Sequence, residues 1–525
     1  MNTSEFLTIA TAICPDKEAI VFEGNRFTFS QLSERVNRLA NALATMGVEK
    51  GERVALLHVN CNQCIETYFA VAKLGAIYVP LNFRAKQHEL SYMINTAEAH
   101  TVLVGERYLE LIDSIRAEMP SVKNYISIDG PREGMANYED VLAAASDDEV
   151  FTDIDDDDTT ILMYTAGTTG FPKGVMLSHN SFSIYVLENV TPADPTVDEN
   201  NILTVPLYHV AGIQAMMAAI YGGRTLVMER QFEPAEWMGL VQTEKVGRAM
   251  MVPTMLKQLM DNPDFEKYDL SSLKVITYGA APMPLPVIKK AMEVFPGVSF
   301  INAFGQTETA STITTLSPED HVITGTEEEK EKKLKRLTSI GRPMSDVEMK
   351  IMDEEGNELP VGEVGEIVAR GPRVMSGYWK EEDKTAKTID KDGWVHTGDM
   401  GYVDEDGYFF LAGRTTDMII RGGENISPEE VEAVLHQHHK IEEAAVIGVP
   451  DEDWGEVPIC VVVLKEGEVA TDEEIMEHCR QALASYKRPR SVIFTKELPR
   501  NPMGKVLKRV LRELHGGESK SEEKQ

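Results

Sequence analysis

Cysteine is scarce in this sequence. Only five of the 525 residues are cysteines, and this odd, scattered set argues against a disulfide scaffold and for a reducing, cytoplasmic location. Cys61 and Cys64 form a C-x-x-C pair, but no second pair accompanies them and they lie in a run with helical apolar spacing. We therefore interpret them as reduced and structural, not as metal-binding or redox-active.

Basic residues and long apolar runs are also few. Acidic residues outnumber basic ones by 85 to 52, and a formal charge of −33 disfavours nucleic acids and anionic membranes as partners. No apolar run approaches the ~20 residues of a transmembrane helix. The N-terminus carries Glu5 where a signal peptide would be basic. We expect no nucleic-acid partner, no integral membrane association, and a locally basic site for any anionic ligand.

The length of the chain predicts at least two domains, because one hydrophobic core rarely supports so many residues. Residues 1–150 alternate helix-like and strand-like segments, for example an apolar face through Leu32, Val36 and Leu39 that ends at Gly47. This alternation predicts α/β subdomains in which helices cover sheets.

The character of the chain changes towards its C-terminus. Glycines and β-branched residues dominate beyond Gly341 and predict a β-rich subdomain. The last 110 residues read as a separate small α+β unit, whose first helix begins after Ser427 as N-cap with Pro428 at the first helical position. The tail from about 516 to 525 is polar and is expected to be disordered.

A glycine- and threonine-rich loop at residues 164–175 is the most informative segment. It lies between two short apolar runs and therefore reads as a loop joining two strands. Glycines that turn backbone N–H groups inward, threonine hydroxyls and a lysine are suited to binding a polyphosphate. The spacing differs from that of a Walker A loop. The candidate phosphate ligands are Thr165, Gly167, Thr168, Thr169, Gly170 and Lys173. A bare loop of this kind is more often an ordinary surface turn.

Two further strand-like segments end in small residues and backbone donors. The first leads into Gly279-Ala280-Ala281, and the second into the string Asn302-Ala303-Phe304-Gly305-Gln306-Thr307-Glu308. Open α/β sheets bind ligands at such strand ends. Taken alone, each residue is most simply a loop residue.

The complete strings resemble the signatures of the adenylate-forming superfamily, which contains acyl-CoA synthetases, amino-acid-activating domains of peptide synthetases and firefly-type luciferases. The resemblance extends from roughly residue 20 to 512. It implies that Phe304 lies against adenine, that Thr307 binds the α-phosphate and that Glu308 holds Mg²⁺. The remaining ATP- and AMP-binding positions that it implies are the loop residues above with Gly279, Ala280, Ala281, Asn302, Ala303, Gly305, Asp399, Tyr402, Arg414 and Lys505.

The resemblance also assigns catalytic, acyl-binding and CoA-binding positions. Lys505 would bind carboxylate and phosphate oxygens during adenylation, and with Thr307, Glu308 and His209 it forms the predicted catalytic set. The implied acyl-binding positions are His209, Val210, Ala280, Ala303, Gly305, Ala310 and Asn425. The implied CoA-binding positions are Arg84, Gly422, Gly423, Trp454, Tyr486, Arg488 and Arg490.

The joint between domains is expected near Thr416, which divides the chain into an N-terminal ATP- and acyl-binding domain of residues 1–414 and a mobile C-terminal domain of residues 415–525. Family members usually carry aspartate or lysine where this chain has Thr416. This departure puts in doubt any hinge mechanism that depends on a charged residue. Members of the family are commonly dimers.

The resemblance implies a carboxylate–CoA ligase that uses ATP, Mg²⁺ and CoA and releases AMP and pyrophosphate. The alternatives are adenylation of a carboxylic or amino acid for a carrier protein, a luciferase-like oxygenase, and a non-enzymatic binding protein. Around Tyr208 and His209 the chain lacks the aspartate that would hold an amino acid's ammonium group. The predicted acyl-binding residues are uncharged and several are small, which favours a medium-chain, alicyclic or aromatic monocarboxylate over acetate or a dicarboxylate.

Overall fold

The computed structural model describes residues 1–165, 172–414, 417–421, 424–451, 454–500 and 506–516. Within this part, none of the helices is both long and apolar enough to cross a membrane. The α-helices of the described residues are Glu5–Ile13, Phe29–Thr45, Asn62–Lys73, Gln87–Ala97, Leu109–Ile115, Tyr138–Ala144, His179–Asn189, Val210–Tyr221, Pro234–Glu244, Pro253–Met260, Leu285–Val294, Glu327–Arg336, Glu382–Thr388, Pro428–Leu435, Asp472–Ala482 and Lys508–His515.

A nine-stranded sheet forms one layer of the N-terminal part. Its six central strands run parallel, and the outer strands at both edges are antiparallel. In spatial order the strands are Arg342–Pro343, Ser311–Leu316, Ser299–Gln306, Val275–Gly279, Arg248–Met251, Asn200–Leu203, Thr225–Met228, Glu18–Phe22 and Asn25–Thr28.

An eight-stranded sheet forms the second layer. It is parallel except at the edge where the strands flanking the glycine-rich loop pair antiparallel. In spatial order its strands are Gly377–Tyr378, Lys173–Ser178, Thr159–Thr165, Ile77–Pro80, Arg53–Leu57, Thr101–Val104, Asn124–Ser127 and Ala136–Asn137. The largest apolar core contains buried residues of both sheets and of the helices Phe29–Thr45, Asn62–Lys73 and Val210–Tyr221. The predicted α/β layering is thus confirmed.

Two smaller sheets follow in the chain. The first is the predicted β-rich subdomain, an antiparallel sheet of Glu348–Met352, Gly365–Arg370, Val395–Val403 and Phe409–Arg414. The second belongs to the small C-terminal domain and contains Glu424–Ile426, Ile419–Arg421, Gly455–Leu464 and Ile441–Asp451, with Val492–Phe494 parallel to Gly455–Leu464. Separate apolar clusters between residues 419 and 511 form the core of this domain. The boundary between 414 and 415 and the mobility of the domain stay predictions.

Local sequence signals explain where individual helices begin and end. The predicted helix with Leu32, Val36 and Leu39 on its buried face spans Phe29–Thr45, and Thr28 caps it by accepting from the Gln31 backbone N–H. Gly47 follows it with a φ of 89°, a conformation that favours glycine. Helix Pro428–Leu435 begins as predicted, because the Ser427 hydroxyl accepts from the Glu430 N–H at 3.2 Å.

A buried amide supports the loop that follows Asn200–Leu203, and a buried carboxyl supports the segment that leads into helix Pro234–Glu244. The Asn60 side chain donates to the carbonyls of Thr204, Val205 and Glu229, and its oxygen accepts from the Leu207 N–H at 2.9 Å. The Glu229 carboxylate accepts from the Glu233 N–H at 2.7 Å and has no exposed surface. Burial raises the pKa of Glu229 to about 8. The carboxyl is therefore largely protonated at neutral pH.

We expect Glu229→Gln to stabilise the protein, increasingly as pH rises. The folded-state pKa of about 8 lies above the ordinary value of 4.5. The stability that goes with a protonated Glu229 is therefore fully present below the ordinary pKa and is lost as pH rises through the folded-state pKa. Glutamine stays neutral and retains an acceptor for the Glu233 N–H. The gain in unfolding free energy near pH 7 is on the order of 3 kcal/mol at most. Chemical denaturation from about pH 5 to about pH 9 measures it, and parallel curves for the two proteins would contradict the prediction.

Candidate functional site

Two parallel strand ends bring the predicted nucleotide residues together. Strand Val275–Gly279 pairs with Ser299–Gln306 so that Gly279 lies opposite Ala303. A Cβ on Gly279 would clash with the Ala303 carbonyl oxygen, and one on Gly305 would clash with the Ser311 carbonyl oxygen. Both glycines are therefore required for close backbone approach, a packing reason that their sequence context did not reveal.

The backbone is strained where these strands end. Ala280 has a φ of 64°, Ala310 of 47° and Ser311 of 85°, all in the left-handed region that non-glycine residues seldom adopt. Ala280 directly follows one strand, and Ala310 follows the short 3₁₀-helix Thr307–Thr309. Strain of this kind costs on the order of 1–3 kcal/mol per residue and clusters at binding sites.

The remaining small and aromatic residues of these segments differ in exposure. Ala280 is exposed and Ala281 and Ala303 are half-buried, whereas Asn302 and Ala310 are buried. Phe304 is half-buried and packs against the apolar residues around Ile340 and Phe409 beside the β-rich subdomain. These positions surround the end of the sheet, and their ligand roles stay predictions.

The strands on either side of the glycine-rich loop form an antiparallel pair with Thr165 opposite Lys173. The loop positions Gly167, Thr168, Thr169 and Gly170 lie outside the described residues. The Lys173 ammonium lies 4.4 Å from the centre of the Tyr378 ring. This contact holds a cation at the edge of the predicted phosphate site.

Glu308 is fixed from two directions by the segment after the β-rich strand Gly365–Arg370. The Tyr378 hydroxyl donates to Glu308 Oε1 at 2.8 Å, and the Met375 N–H donates to the Glu308 carbonyl at 2.9 Å. Burial, reinforced by the Glu308 charge, raises the pKa of Tyr378. Sequence reasoning missed Tyr378, because this partner is 70 residues from Glu308 and no local pattern connects them.

The predicted ribose ligands lie on neighbouring strands of the β-rich subdomain. Asp399 is buried and lies opposite Arg414 in the antiparallel register. The Thr397 hydroxyl accepts from the Asp399 N–H at 3.1 Å and donates to the Ile367 carbonyl at 2.6 Å. Tyr402 stacks on Phe410 with ring centres 4.9 Å apart. The sheet thus brings Asp399 and the Arg414 backbone together, while the Arg414 side chain lies outside the described part.

His209 is held neutral beside Tyr208. It precedes helix Val210–Tyr221, of which Val210 is the buried first residue, and its ring centre is 4.1 Å from that of Tyr208. Burial, with a smaller contribution from the Arg84 charge, lowers the pKa of His209 to about 3. Its buried Nε2 has no hydrogen-bond partner among the described residues. A polar group of a ligand can therefore form a hydrogen bond with Nε2.

Arg84 lies in the same neighbourhood. It is exposed, and its guanidinium is 5.3 Å from the Phe83 ring, which in turn makes an edge contact with Tyr208 at 5.1 Å. The position predicted for CoA thus adjoins the position predicted for the acyl group through this aromatic pair.

The C-terminal domain brings two predicted CoA-binding aromatics together. The Arg421 guanidinium lies 5.4 Å from the Trp454 ring and donates to the Tyr486 carbonyl at 2.9 Å. Trp454 is 52% exposed and Tyr486 is 37% exposed, which leaves both rings accessible to a ligand. The sequence analysis assigned Arg421 no role, because both of its partners are distant from it in the chain.

The predicted CoA-binding arginines have protein partners. The Arg488 guanidinium donates to the Leu483 and Arg480 carbonyls at the end of helix Asp472–Ala482, and Arg490 is ion-paired with Asp451. They hold the helix end and a strand end in addition to any ligand role. The predicted positions Thr416, Gly422, Gly423 and Lys505 lie outside the described residues, as does the side chain of Asn425, whose backbone pairs with Ile420.

Comparison with known proteins identifies the family. Residues 8–379 match the model of the AMP-binding enzyme family, and residues 430–505 match that of the AMP-binding enzyme C-terminal domain. The chain is 35% identical over 507 residues to a feruloyl-CoA synthase of Amycolatopsis sp, covering 96% of each chain. It is 33% identical over 517 residues to an indoleacetate–CoA ligase of Aromatoleum aromaticum, covering 98% of each chain.

A solved structure supports the same assignment. The fold superimposes on ATP-bound MatB from Rhodopseudomonas palustris with a TM-score of 0.88 at 30% identity, covering 98% of this chain and 99% of the other. Large N-terminal and small C-terminal domains are common to both. The chain therefore belongs to the AMP-binding enzymes of the adenylate-forming superfamily and is an AMP-forming acyl- or aryl-CoA ligase that uses ATP and CoA.

Proposed function

We propose that the protein converts an aromatic, alicyclic or medium-chain monocarboxylic acid into its acyl-adenylate and then into its CoA thioester, releasing AMP and pyrophosphate. The observation that carries the proposal is the uncharged lining at the predicted acyl positions. His209, with its pKa lowered to about 3, is a neutral imidazole at physiological pH. Val210, Ala280 and Ala303 add only small or apolar surface. Such a lining favours an uncharged acyl group, and none of these four side chains offers a counter-charge to a second carboxylate.

Two relatives named for aryl acids support the aromatic members of this range. The feruloyl-CoA synthase and the indoleacetate–CoA ligase bear names of acids with a ring attached to a short chain. Apolar sites discriminate weakly between ligands that differ by a methylene group, which is why the proposal names a class of acid.

On the nucleotide side, Lys173, Thr307 and Asp399 would bind ATP, and Glu308 would hold Mg²⁺. A magnesium ion prefers oxygen ligands and is often bound by one carboxylate together with substrate phosphates. Glu308 provides such a carboxylate, half-buried and with one oxygen engaged by Tyr378. The described part of the chain contains no cluster of three metal-binding side chains. The single carboxylate of Glu308 fits a Mg²⁺ ion that the protein shares with the phosphates of ATP. When bound, Mg²⁺ would neutralise phosphate charge.

The experiment is a screen of carboxylic acids with the full-length protein, ATP, Mg²⁺ and CoA. Ferulate, indoleacetate, cyclohexanecarboxylate, octanoate, acetate and malonate cover the proposed class and its neighbours. Pyrophosphate and AMP are measured with and without CoA, and the thioester is identified by mass spectrometry. We expect thioester from at least one ring-bearing or medium-chain acid. Adenylate without thioester from every acid, or turnover restricted to acetate or malonate, would overturn the proposal.

We further propose that the C-terminal domain alternates between two poses during the reaction. Adenylation needs the Lys505 cation between the carboxylate of the acid and the α-phosphate of ATP. Thioester formation needs the CoA thiol at the carbonyl carbon of that same carboxyl group, and Gly422 and Gly423 would allow the thiol to approach. The ion pair between Lys257 and Glu442, at 2.5 Å, joins the two domains in the present pose. A rotation about Thr416 would break it, a recognised type of hinge motion.

We expect Ala303→Trp to shift acid preference towards smaller acids. The half-buried alanine lies opposite Gly279, where the adjacent strands leave no room for the main chain to retreat. Overpacking costs about 1–3 kcal/mol, so kcat/KM for a ring-bearing acid should fall by about 10- to 100-fold relative to a short-chain acid. Ala303→Gly is the control for removal of the methyl group. Equal losses for both acids would contradict a position beside the acyl group.

A further inference from the structure

Tyr378 contacts two predicted phosphate-site residues that come from different sheets. Its hydroxyl donates to Glu308, which follows the strand Ser299–Gln306 of the nine-stranded sheet. Its ring lies beneath the Lys173 ammonium, which begins the strand after the glycine-rich loop in the eight-stranded sheet. One buried side chain, 4% exposed, thus touches both an anion and a cation.

The backbone around Tyr378 fixes it to the same two elements. Residues Gly377–Tyr378 pair antiparallel with Val175 and Met176, and the Trp379 N–H donates to the Gly174 carbonyl at 2.8 Å. The Met375 N–H donates to the Glu308 carbonyl at 2.9 Å. Residues 375–379 therefore form a short strap that spans the two sheets.

We propose that Tyr378 is a positioning residue for adenylation, which sets the distance and orientation between the Glu308 carboxylate and the Lys173 ammonium. The proposal rests on the proposed function, because it takes Glu308 to hold the magnesium of ATP. The hydroxyl leaves Glu308 one oxygen for the metal and prevents rotation of the carboxylate. The ring restrains the lysine by cation–π attraction and leaves its charge available to a ligand. A salt bridge between Lys173 and Glu308 would instead neutralise that charge.

The chemistry of the two groups determines which of them donates the hydrogen bond between Tyr378 and Glu308. An ionised carboxylate only accepts hydrogen bonds, so the phenol must keep its proton. An ordinary tyrosine phenol keeps its proton up to a pH of about 10, so at neutral pH it is the donor in this bond. Hydrogen bonds to charged groups are among the strongest that side chains make, so removing this one should be measurable.

The test compares Tyr378→Phe, which removes only the hydroxyl, with Tyr378→Leu, which also removes the ring. Mn²⁺ serves as the probe, and its binding to enzyme and ATP without acid is measured by electron paramagnetic resonance. We expect Tyr378→Phe to weaken Mn²⁺ binding about tenfold, as for loss of one hydrogen bond to a charged group, and to raise the Mg²⁺ concentration for half-maximal turnover equally. Tyr378→Leu should in addition weaken binding of metal-free ATP, because Lys173 loses its ring.

Tyr408→Phe is the matched control. Tyr408 is also buried and donates to a carboxylate, Asp320, at 2.6 Å, but neither residue belongs to the predicted site. Its metal dependence should equal that of the wild type. Unchanged Mn²⁺ binding in Tyr378→Phe would overturn the inference. A loss of Mn²⁺ binding of the same size in Tyr408→Phe would also overturn it, as would a loss in Tyr378→Phe that is accompanied by a fall in its melting temperature.

Glu308→Gln in the same assay separates this inference from the proposed function. Loss of Mn²⁺ binding in Glu308→Gln with wild-type binding in Tyr378→Phe would refute only the positioning role. Wild-type binding in Glu308→Gln would refute the metal assignment itself, and with it the basis for Tyr378.

Discussion

Replacing Glu308 with glutamine should slow acyl-adenylate formation by about 10²- to 10³-fold, the usual cost of removing one charged group that stabilises a phosphoryl-transfer transition state. Glutamine has the same shape, and its carbonyl oxygen can accept from the Tyr378 hydroxyl that binds Glu308 Oε1. The backbone bond from Met375 to the Glu308 carbonyl is untouched. The variant therefore removes charge while the strap stays in place.

Isotope exchange between pyrophosphate and ATP measures this half-reaction directly. Conversion of chemically prepared acyl-adenylate and CoA to thioester should remain near the wild-type rate, because that step transfers no phosphoryl group. Glu348→Gln is the control, since Glu348 is an exposed carboxylate paired with Arg370 outside the predicted site. Exchange at the wild-type rate in Glu308→Gln would refute its role in adenylation.

Much of the site could be predicted because its residues occur in contiguous strings at strand ends. Gly279 to Ala281 and Asn302 to Glu308 each follow an apolar strand, and parallel neighbours bring such ends to one edge. The same logic located the strands on both sides of the glycine-rich loop. Local patterning thus placed these segments at strand ends, whereas their ligand roles came from the family resemblance and stay predictions.

The parts that escaped prediction depend on contacts between distant segments. The bond from Tyr378 to Glu308 and the bridge from Arg421 to Trp454 join residues with no common periodicity. The resemblance implied that Arg488 faces CoA, but it did not show that the Arg488 guanidinium also binds the carbonyls at a helix end. A charged residue in a string shows what it can bind, but its partners are decided by tertiary packing.

The same distinction applies to the fold. Alternating apolar segments indicated α/β layers, but not that Glu18–Phe22 would pair with Thr225–Met228 or that Gly377–Tyr378 would extend the sheet containing Lys173. Both pairings join segments far apart in the chain. Their register is determined by which faces are buried together, and periodicity within one segment carries no information about that choice.

Replacing Asp399 with alanine should raise the KM for ATP by at least about 100-fold, since two hydrogen bonds to a charged acceptor contribute on the order of 1.5–3 kcal/mol each. Asp399 is buried, and the bonds from its N–H to Thr397 and from Thr397 to Ile367 fix its backbone in the β-rich sheet. The Gly398 N–H donates to Glu366 at 2.9 Å, which fixes the preceding turn. A carboxylate so restrained is suited to accept both ribose hydroxyls.

The ribose assignment is tested by a cycle between enzyme and nucleotide. Wild-type enzyme should prefer ATP over 2′-deoxy-ATP. Asp399→Ala should lose most of that preference, because this variant has no carboxylate to bind the 2′-hydroxyl and the presence of the hydroxyl then makes little difference. Asp353→Asn, at an exposed turn of the same sheet where Asp353 accepts from the Asn357 N–H, is the control and should retain the full preference. If Asp399→Ala discriminated between the two nucleotides as strongly as wild type, the 2′-hydroxyl would have another partner. A raised KM with retained discrimination would then mean that Asp399 maintains the sheet and does not bind the ribose 2′-hydroxyl.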